Sequence, residues 1–174
     1  GALRTDLLPS LVDERTRVVA VTQASNTLGT RPDLRTVVEA AHAVGAVVVV
    51  DGCQGVVHGG VDVRAMDCDF YAFSGHKLYG PTGIGVLYGK RELLERMPPF
   101  MGGGDMVDTV TFAKTTYAPV PLKFEAGTAN FVGAIGLGEA VKFMQRFDPA
   151  EIEAHEEALL HRATERLEGI GGLR

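Results

Sequence analysis

Apolar positions change period several times along the chain, and each change predicts an element. Leu7, Leu8, Leu11 and Val12 have the spacing of a short helical lead-in. Arg17 to Ala24 is continuous and β-branched, which predicts a buried strand closed by the turn formers Ser25 and Asn26. Pro32 and Asp33 open a helix through Val44, with Leu34, Val37, Val38 and Ala41 on one face and Gly45 as its stop. Ala46 to Val50 is a second strand without alternation, the pattern of a parallel strand covered on both faces. Strand, helix and strand in this order make a βαβ unit, so a parallel α/β sheet is the expected architecture.

The same reading gives a third strand over Cys68–Ser74, a fourth over Gly85–Tyr88 and a short helix over Lys90–Met97. From Pro98 to Asn130 the pattern weakens into glycine-rich loops and short strands. Ile135, Leu137, Ala140, Val141 and Met144 then predict a helix over Gly133–Phe147, and Pro149 begins a longer amphipathic helix through about Leu167. No internal repeat or linker interrupts the chain.

Composition narrows the function classes. With 174 residues, 45% hydrophobic and 22% charged, the chain has the apolar mass of one ordinary domain and is not disordered. A net charge of −5 excludes the basic footprint of a nucleic-acid binder. No apolar run approaches the length of a membrane span. Cys53 and Cys68 form neither a disulfide framework nor a zinc pattern, so a reducing, cytoplasmic compartment is expected. The 22 glycines sit in short apolar stretches, which marks tight turns and close backbone approaches. Gly1 at the start and a connection-like Gly171 to Arg174 at the end are read as those of an excerpt, with Arg174 at a tryptic cut.

In an open α/β sheet ligands bind beyond the carboxyl ends of the strands. Three predicted strand ends carry polar residues there: Asn26; Asp51 with Gln54; and Ser74 with His76 and Lys77. Asp51 follows four valines and is either a helix cap or a carboxylate at a solvated rim. Lys77 has three readings by position alone: phosphate clamp, Schiff-base amine or solvated tip. Gly80 to Gly85 has the glycines of a dinucleotide loop, but a strand follows it where a helix is needed. His42 with Glu39, and His58, lack a second clustered ligand, so no metal site is expected. Glu151, Glu153, Glu156 and Glu157 read as a solvated helix face.

Taken together, Asp51-Gly-Cys-Gln54 and the block Ser74-Gly-His-Lys-Leu-Tyr-Gly-Pro-Thr-Gly-Ile-Gly85 resemble the lysine segment of pyridoxal-phosphate enzymes of the class V aminotransferase fold. The resemblance is strongest to group II (Suf-type) cysteine desulfurases and selenocysteine lyases. Ser25 to Thr30, Val61 to Tyr71, Gly102 to Gly104 and Phe124 to Asn130 extend it over most of the chain.

The resemblance implies a fold type I, PLP-dependent transferase-like large domain: an α/β body with a mostly parallel central sheet and helices on both faces. Its core would be residues 1–147, and 148–174 would lead toward a small domain outside the chain. Lys77 would hold pyridoxal 5'-phosphate as a Schiff base and move protons. Asp51 would pair with the pyridinium nitrogen and Gln54 with the phenolic oxygen. Ser74 and His76 would hold the phosphate, Asn26 would face the phenolic oxygen or the substrate carboxylate, and Thr128 would reach the phosphate of the partner subunit in a homodimer. The implied activity takes L-cysteine to L-alanine and an enzyme persulfide, with a Suf-system sulfur acceptor as partner and iron–sulfur assembly as destination. The loop cysteine and the carboxylate-binding arginine of that family fall outside this chain, and the 174 residues alone are expected to be inactive. Selenocysteine lyase, kynureninase-like and aminotransferase-like chemistry, and a non-catalytic dimerising module of the same fold, are the alternatives.

Overall fold

The structure, a computed structural model, describes residues 1–172; the terminal Leu173-Arg174, and with it the tryptic-cut reading, lies outside the described residues. A four-stranded sheet organises the body, in the order β1 (Val18–Thr22), β2 (Val47–Asp51), β3 (Phe70–Ser74), β4 (Gly85–Gly89). β1, β2 and β3 are parallel, with Ala20 opposite Val49 and Val50 opposite Tyr71. β4 is antiparallel to β3, with Ser74 opposite Gly85. The sequence forces that reversal, because the stretch between Ser74 and Gly85 is shorter than the roughly dozen residues a parallel crossover needs.

The βαβ unit is as the periodicity predicts. Helix α2 (Leu34–Ala43; a one-turn α1, Leu8–Leu11, precedes β1) is capped by Asp33, whose Oδ1 accepts from Arg35 N at 3.1 Å and Thr36 N at 3.4 Å. Gly45 ends the unit at φ +75°, a left-handed conformation that glycine adopts without strain. Val38 and Ala41 pack on Val48, Val50, Cys68 and Tyr71, with Met66 of the short α3 (Val63–Met66) beside them. Fully burying a valine contributes roughly 1.5–3 kcal/mol, and Val48 and Val50 are both completely buried.

Two expectations about burial are corrected. The Arg17–Ala24 strand is an edge strand with one face in the open, and Val18 is 58% exposed. In β2, Val48 and Val50 are buried while Val47 and Val49 are only half-buried, so alternation is present after all. Helix α2 packs on the Val48/Val50 face, and Leu94, beyond β4, lies against the opposite face beside Phe70 and Gly89. The opposite face carries Ala20, Thr22, Val49, Asp51, Ala72 and Ser74 around an open concavity of about 490 Å³. A run of valines reports that both faces of a strand are apolar; it does not report which segment covers the second.

Beyond β4, α4 (Arg91–Arg96) and a two-stranded antiparallel sheet of β5 (Val107–Val110) and β6 (Thr115–Tyr117) fill the stretch that reads as glycine-rich loops. Helix α5 (Phe131–Met144) starts two residues before the predicted Gly133 and stops short of Phe147. Asn130 caps it, with Oδ1 accepting from Gly133 N at 3.0 Å. The 20-residue α6 (Pro149–Glu168) buries none of its residues. No described helix is long and apolar enough to cross a membrane.

The amino end of β3 holds a buried ion cluster. Asp69, 6% exposed, accepts from Val48 N at 2.7 Å, meets His42 Nε2 at 2.9 Å and lies 3.0 Å from Lys90 Nζ. Lys90 also donates to Asp67 Oδ1 at 2.7 Å. Burial opposes the Asp69 charge, but the Val48 amide, His42 and Lys90 outweigh it and hold the carboxyl below its usual range. His42 and Glu39, weighed as metal ligands by sequence, are thus in different work: His42 belongs to this cluster, and Glu39 pairs with Arg35 across one helical turn. Among the described residues no group of three or more ligating side chains is gathered for a metal.

Candidate active site

Because β1, β2 and β3 are parallel, their carboxyl ends share one edge of the sheet, and the polar residues singled out in the sequence fall along it. Thr22, Asp51 and Ala72 form one row across the three strands. Ser74 lies two residues beyond Ala72 and therefore on the same face as Asp51. Asp51 is exposed, and its Oδ1 accepts from Cys53 N at 2.9 Å. That bond fixes the carboxylate as the cap of its own turn. Asp51 caps no helix, because the next helical turn starts at Gly55 with Gln54 before it; the carboxylate closes a local turn at an exposed rim.

The turn after β2 rests on a buried pair. The Tyr71 hydroxyl donates to Gln23 Oε1 at 2.6 Å, and it lies 3.4 Å from the Gly52 carbonyl. Gln23 N in turn donates to Asp51 O, and Gly52 N to Ala72 O, both at 2.9 Å. A Cβ at Gly52 would overlap the Tyr71 ring, and one at Gly55 would overlap the Gln23 side chain. The glycines of Asp51-Gly-Cys-Gln-Gly55 thus allow the backbone to lie directly on Tyr71 and Gln23, which sets where Asp51 and Gln54 stand. Burial pushes the Tyr71 phenol well above its usual range, so it stays a neutral donor.

After β3 the chain enters a single 3₁₀ turn, Gly75–Leu78, that carries His76 and Lys77. Gly75 N donates to Ile84 O at 2.8 Å and Gly80 N returns to Gly75 O at 3.0 Å, so the turn is closed at both ends. A Cβ at Gly80 would stand 2.9 Å from the Gly75 oxygen, which is why the block needs glycine there. His76 is exposed and Lys77 half-buried. The turn packs against α5 and against the short turn Gly55–Val57 that follows Gln54.

The seven candidates divide among four places. Asp51 and Ser74 line the open concavity on the sheet face, with Cys53 Sγ 3.9 Å from Ser74 Oγ. Asn26 and Gln54 line a second cavity of about 580 Å³ at the same edge, between the strand-end loops and α6. His76 and Lys77 stand on the turn that continues β3. Thr128 is exposed on the segment before α5 and lines neither concavity; that segment is tied to the lysine block where Asn130 Nδ2 donates to Gly83 O at 3.2 Å.

Gln23, Tyr71, Arg31 and His58 are structural supports of this edge that sequence reasoning did not single out as such. For Gln23 and Tyr71 no local signal exists, since each reads as an ordinary strand residue. Asn130 did carry one, being a capping residue directly before an apolar run.

The comparisons agree with this architecture. The model of the family described as Aminotransferase class-V matches residues 1–174. A cysteine desulfurase of Dickeya dadantii is 54% identical over the whole of this chain and 42% of its own length. The solved structure of the cysteine desulfurase CsdA from Escherichia coli superposes with a TM-score of 0.93 at 50% identity, over 97% of this chain and 42% of that one. The structure of C-DES with glycine covalently linked to its PLP cofactor shares the fold at a TM-score of 0.82 and 24% identity, over 94% of this chain and 45% of that one. The chain thus spans less than half the length of the proteins it matches, and its fold is that of a fold type I large domain with a mixed, mostly parallel sheet. It belongs to the class V aminotransferase family, and within that family it is similar to cysteine desulfurases.

Proposed function

We propose that this chain is the cofactor platform of a pyridoxal-phosphate-dependent cysteine desulfurase. The whole enzyme would convert L-cysteine to L-alanine and pass the sulfur to an enzyme thiol as a persulfide, for a sulfur acceptor in iron–sulfur assembly. The observation that carries this reading is the convergence of a carboxylate, a hydroxyl and a lysine turn at one edge of the sheet, with Asp51 and Ser74 on one face of adjacent strands and Lys77 on the turn beyond Ser74. The half-identical desulfurases support the choice of activity. The division into a platform over 1–147 and a helical segment over 148–174 belongs to the same proposal, as does the homodimer in which Thr128 serves the neighbouring site.

The residues present fit the cofactor. A free carboxylate oxygen on Asp51 suits a protonated ring nitrogen, because Oδ1 is used by the Cys53 amide and the side chain is exposed toward the concavity. Ser74 and His76 offer hydrogen-bond donors for a phosphate beside the closed turn. Gln54 and Asn26 offer amide donors from the neighbouring loops. The cofactor, when bound, supplies a cationic ring that draws electron density from the substrate Cα. Asp51 would keep the ring proton in place. Lys77 would attach the cofactor and, once substrate displaces its amine, take the proton at Cα and return it as product forms.

The test is Asp51→Asn in the full-length enzyme. The amide cannot stabilise the ring proton, so alanine formation from cysteine should fall by about a hundredfold or more while the cofactor absorbance is retained. Turnover within about twofold of the parent enzyme would show that Asp51 only caps its turn.

A further inference from the structure

The acidic stretch of α6, which reads from sequence as a solvated face, is joined to the platform at the candidate site. Arg31 Nη1 meets Glu153 Oε1 at 2.7 Å, and Arg31 Nη2 donates to the His58 carbonyl at 3.0 Å. His58 Nδ1 donates to Glu156, 2.8 Å from Oε1 and 3.0 Å from Oε2. Arg31 lies on the segment between β1 and α2 that carries Asn26; His58 lies on the segment between β2 and α3 that carries Gln54. The four side chains therefore form a bridged pair of contacts, in which Arg31 touches α6 and the second loop at once. They wall the same 580 Å³ cavity that Asn26 and Gln54 line. Because α6 buries no residue of its own, these polar contacts are a main attachment of its first half to the body, together with Pro149 and Ile152 against the apolar pocket beside Val56 and Tyr88.

We infer that Arg31, His58, Glu153 and Glu156 are positioning residues: they hold the Asn26 and Gln54 loops in one arrangement and make that arrangement depend on where α6 lies. Exposed ion pairs add little to global stability, and each of these four side chains is about two-fifths exposed. Their effect is local, on two loops that also meet through Gln23 and the turn at Asp51. Displacing α6 by one turn of its contacts would release both loops together, and with them the two amide side chains offered to a ligand. The link from the loops to cofactor retention rests on the proposed function; the link from α6 to the loops does not.

The two links are separated by a charge swap in the full-length protein. Arg31→Glu and Glu153→Arg each put like charges together, and the double variant restores an opposite pair. Amide hydrogen exchange is followed in the cofactor-free protein over 24–31 and 52–58, and the release rate of pyridoxal phosphate is followed in the loaded protein. Each single variant should speed exchange in both loops by about threefold, the scale of one partly exposed pair, with global unfolding unchanged. The double variant should return 24–31 to within about twofold of the parent, while 52–58 recovers less, because a glutamate at position 31 cannot donate to the His58 carbonyl. Glu156→Gln, which keeps shape and loses charge, should speed exchange over 52–58. Faster cofactor release in the single variants, slowed again in the double, completes the case. Unchanged exchange in the singles, or no recovery over 24–31 in the double, overturns the coupling of α6 to the loops. Altered exchange with unaltered release overturns the positioning role. A parent protein that never retains the cofactor would instead count against the proposed function and leave the exchange result standing.

Discussion

Tyr71 shows how much of the site depends on a residue that takes no part in chemistry. It is 2% exposed, it bonds Gln23, and its ring occupies the space a side chain at Gly52 would need. Tyr71→Phe keeps the ring and deletes the hydroxyl, leaving the Gln23 amide oxygen without its donor. An equilibrium denaturation of the full-length protein should show a loss of about 1–2 kcal/mol, the cost of an orphaned hydrogen-bond partner. Gly52→Ala should cost more than Tyr71→Phe, because overlap with a packed ring cannot be relieved by a rotamer change. The two cysteines make the complementary case. Cys68 is completely buried, and burial pushes its thiol upward, which removes thiolate character. Cys53 is half-buried beside Ser74. Cys53→Ser and Cys68→Ala in the full-length enzyme should both leave persulfide formation intact, as read by trapping the persulfide during turnover with cysteine; a persulfide mapped to either residue would contradict this.

At the scale of elements, the ion cluster at the amino end of β3 joins α2, β2, β3 and the start of α4 at the end of the sheet opposite the candidate site. Asp69 has a lowered carboxyl pKa, so its contribution is present above the ordinary carboxylate range and is lost as pH falls through the folded value. Lys90 is raised by Asp67 and Asp69 despite its own burial, so its contribution is present below the ordinary lysine range and is lost as pH rises through the folded value. Asp69→Asn should therefore cost about 2–4 kcal/mol near neutral pH, and that deficit should shrink toward zero as the pH is taken below about 4. A deficit independent of pH would place the stabilisation in packing. This cluster was not legible in the sequence, because its members are separated along the chain and each has an ordinary surface reading. The helices and strands were legible, since the valine runs and the Asp33 cap are local signals. The hairpin of β5 and β6 was not, because Val107 to Tyr117 alternates too briefly to stand out from glycine-rich loops. The face of the sheet left open was not either, since covering it is a matter of long-range packing. The glycines around Asp51 and Lys77 signalled tight backbone, and the structure adds what the backbone is tight against.

At the scale of the whole molecule, the sheet divides labour between its ends. The amino ends of the strands are locked by buried charge, and the carboxyl ends carry closed turns, the Lys77 turn among them, with Asn26, Gln54, Asp51 and Ser74 lining two concavities. That polarity is what a parallel sheet gives a ligand, and the fold that sets it is shared with the cysteine desulfurase CsdA. Everything proposed about catalysis converges on one amine. The full-length enzyme, reduced with borohydride and digested, should carry its phosphopyridoxyl group on the peptide containing Lys77, and a Lys77→Ala enzyme should carry none. A label on Lys90, Lys114, Lys123 or Lys142 in the parent enzyme would contradict the account.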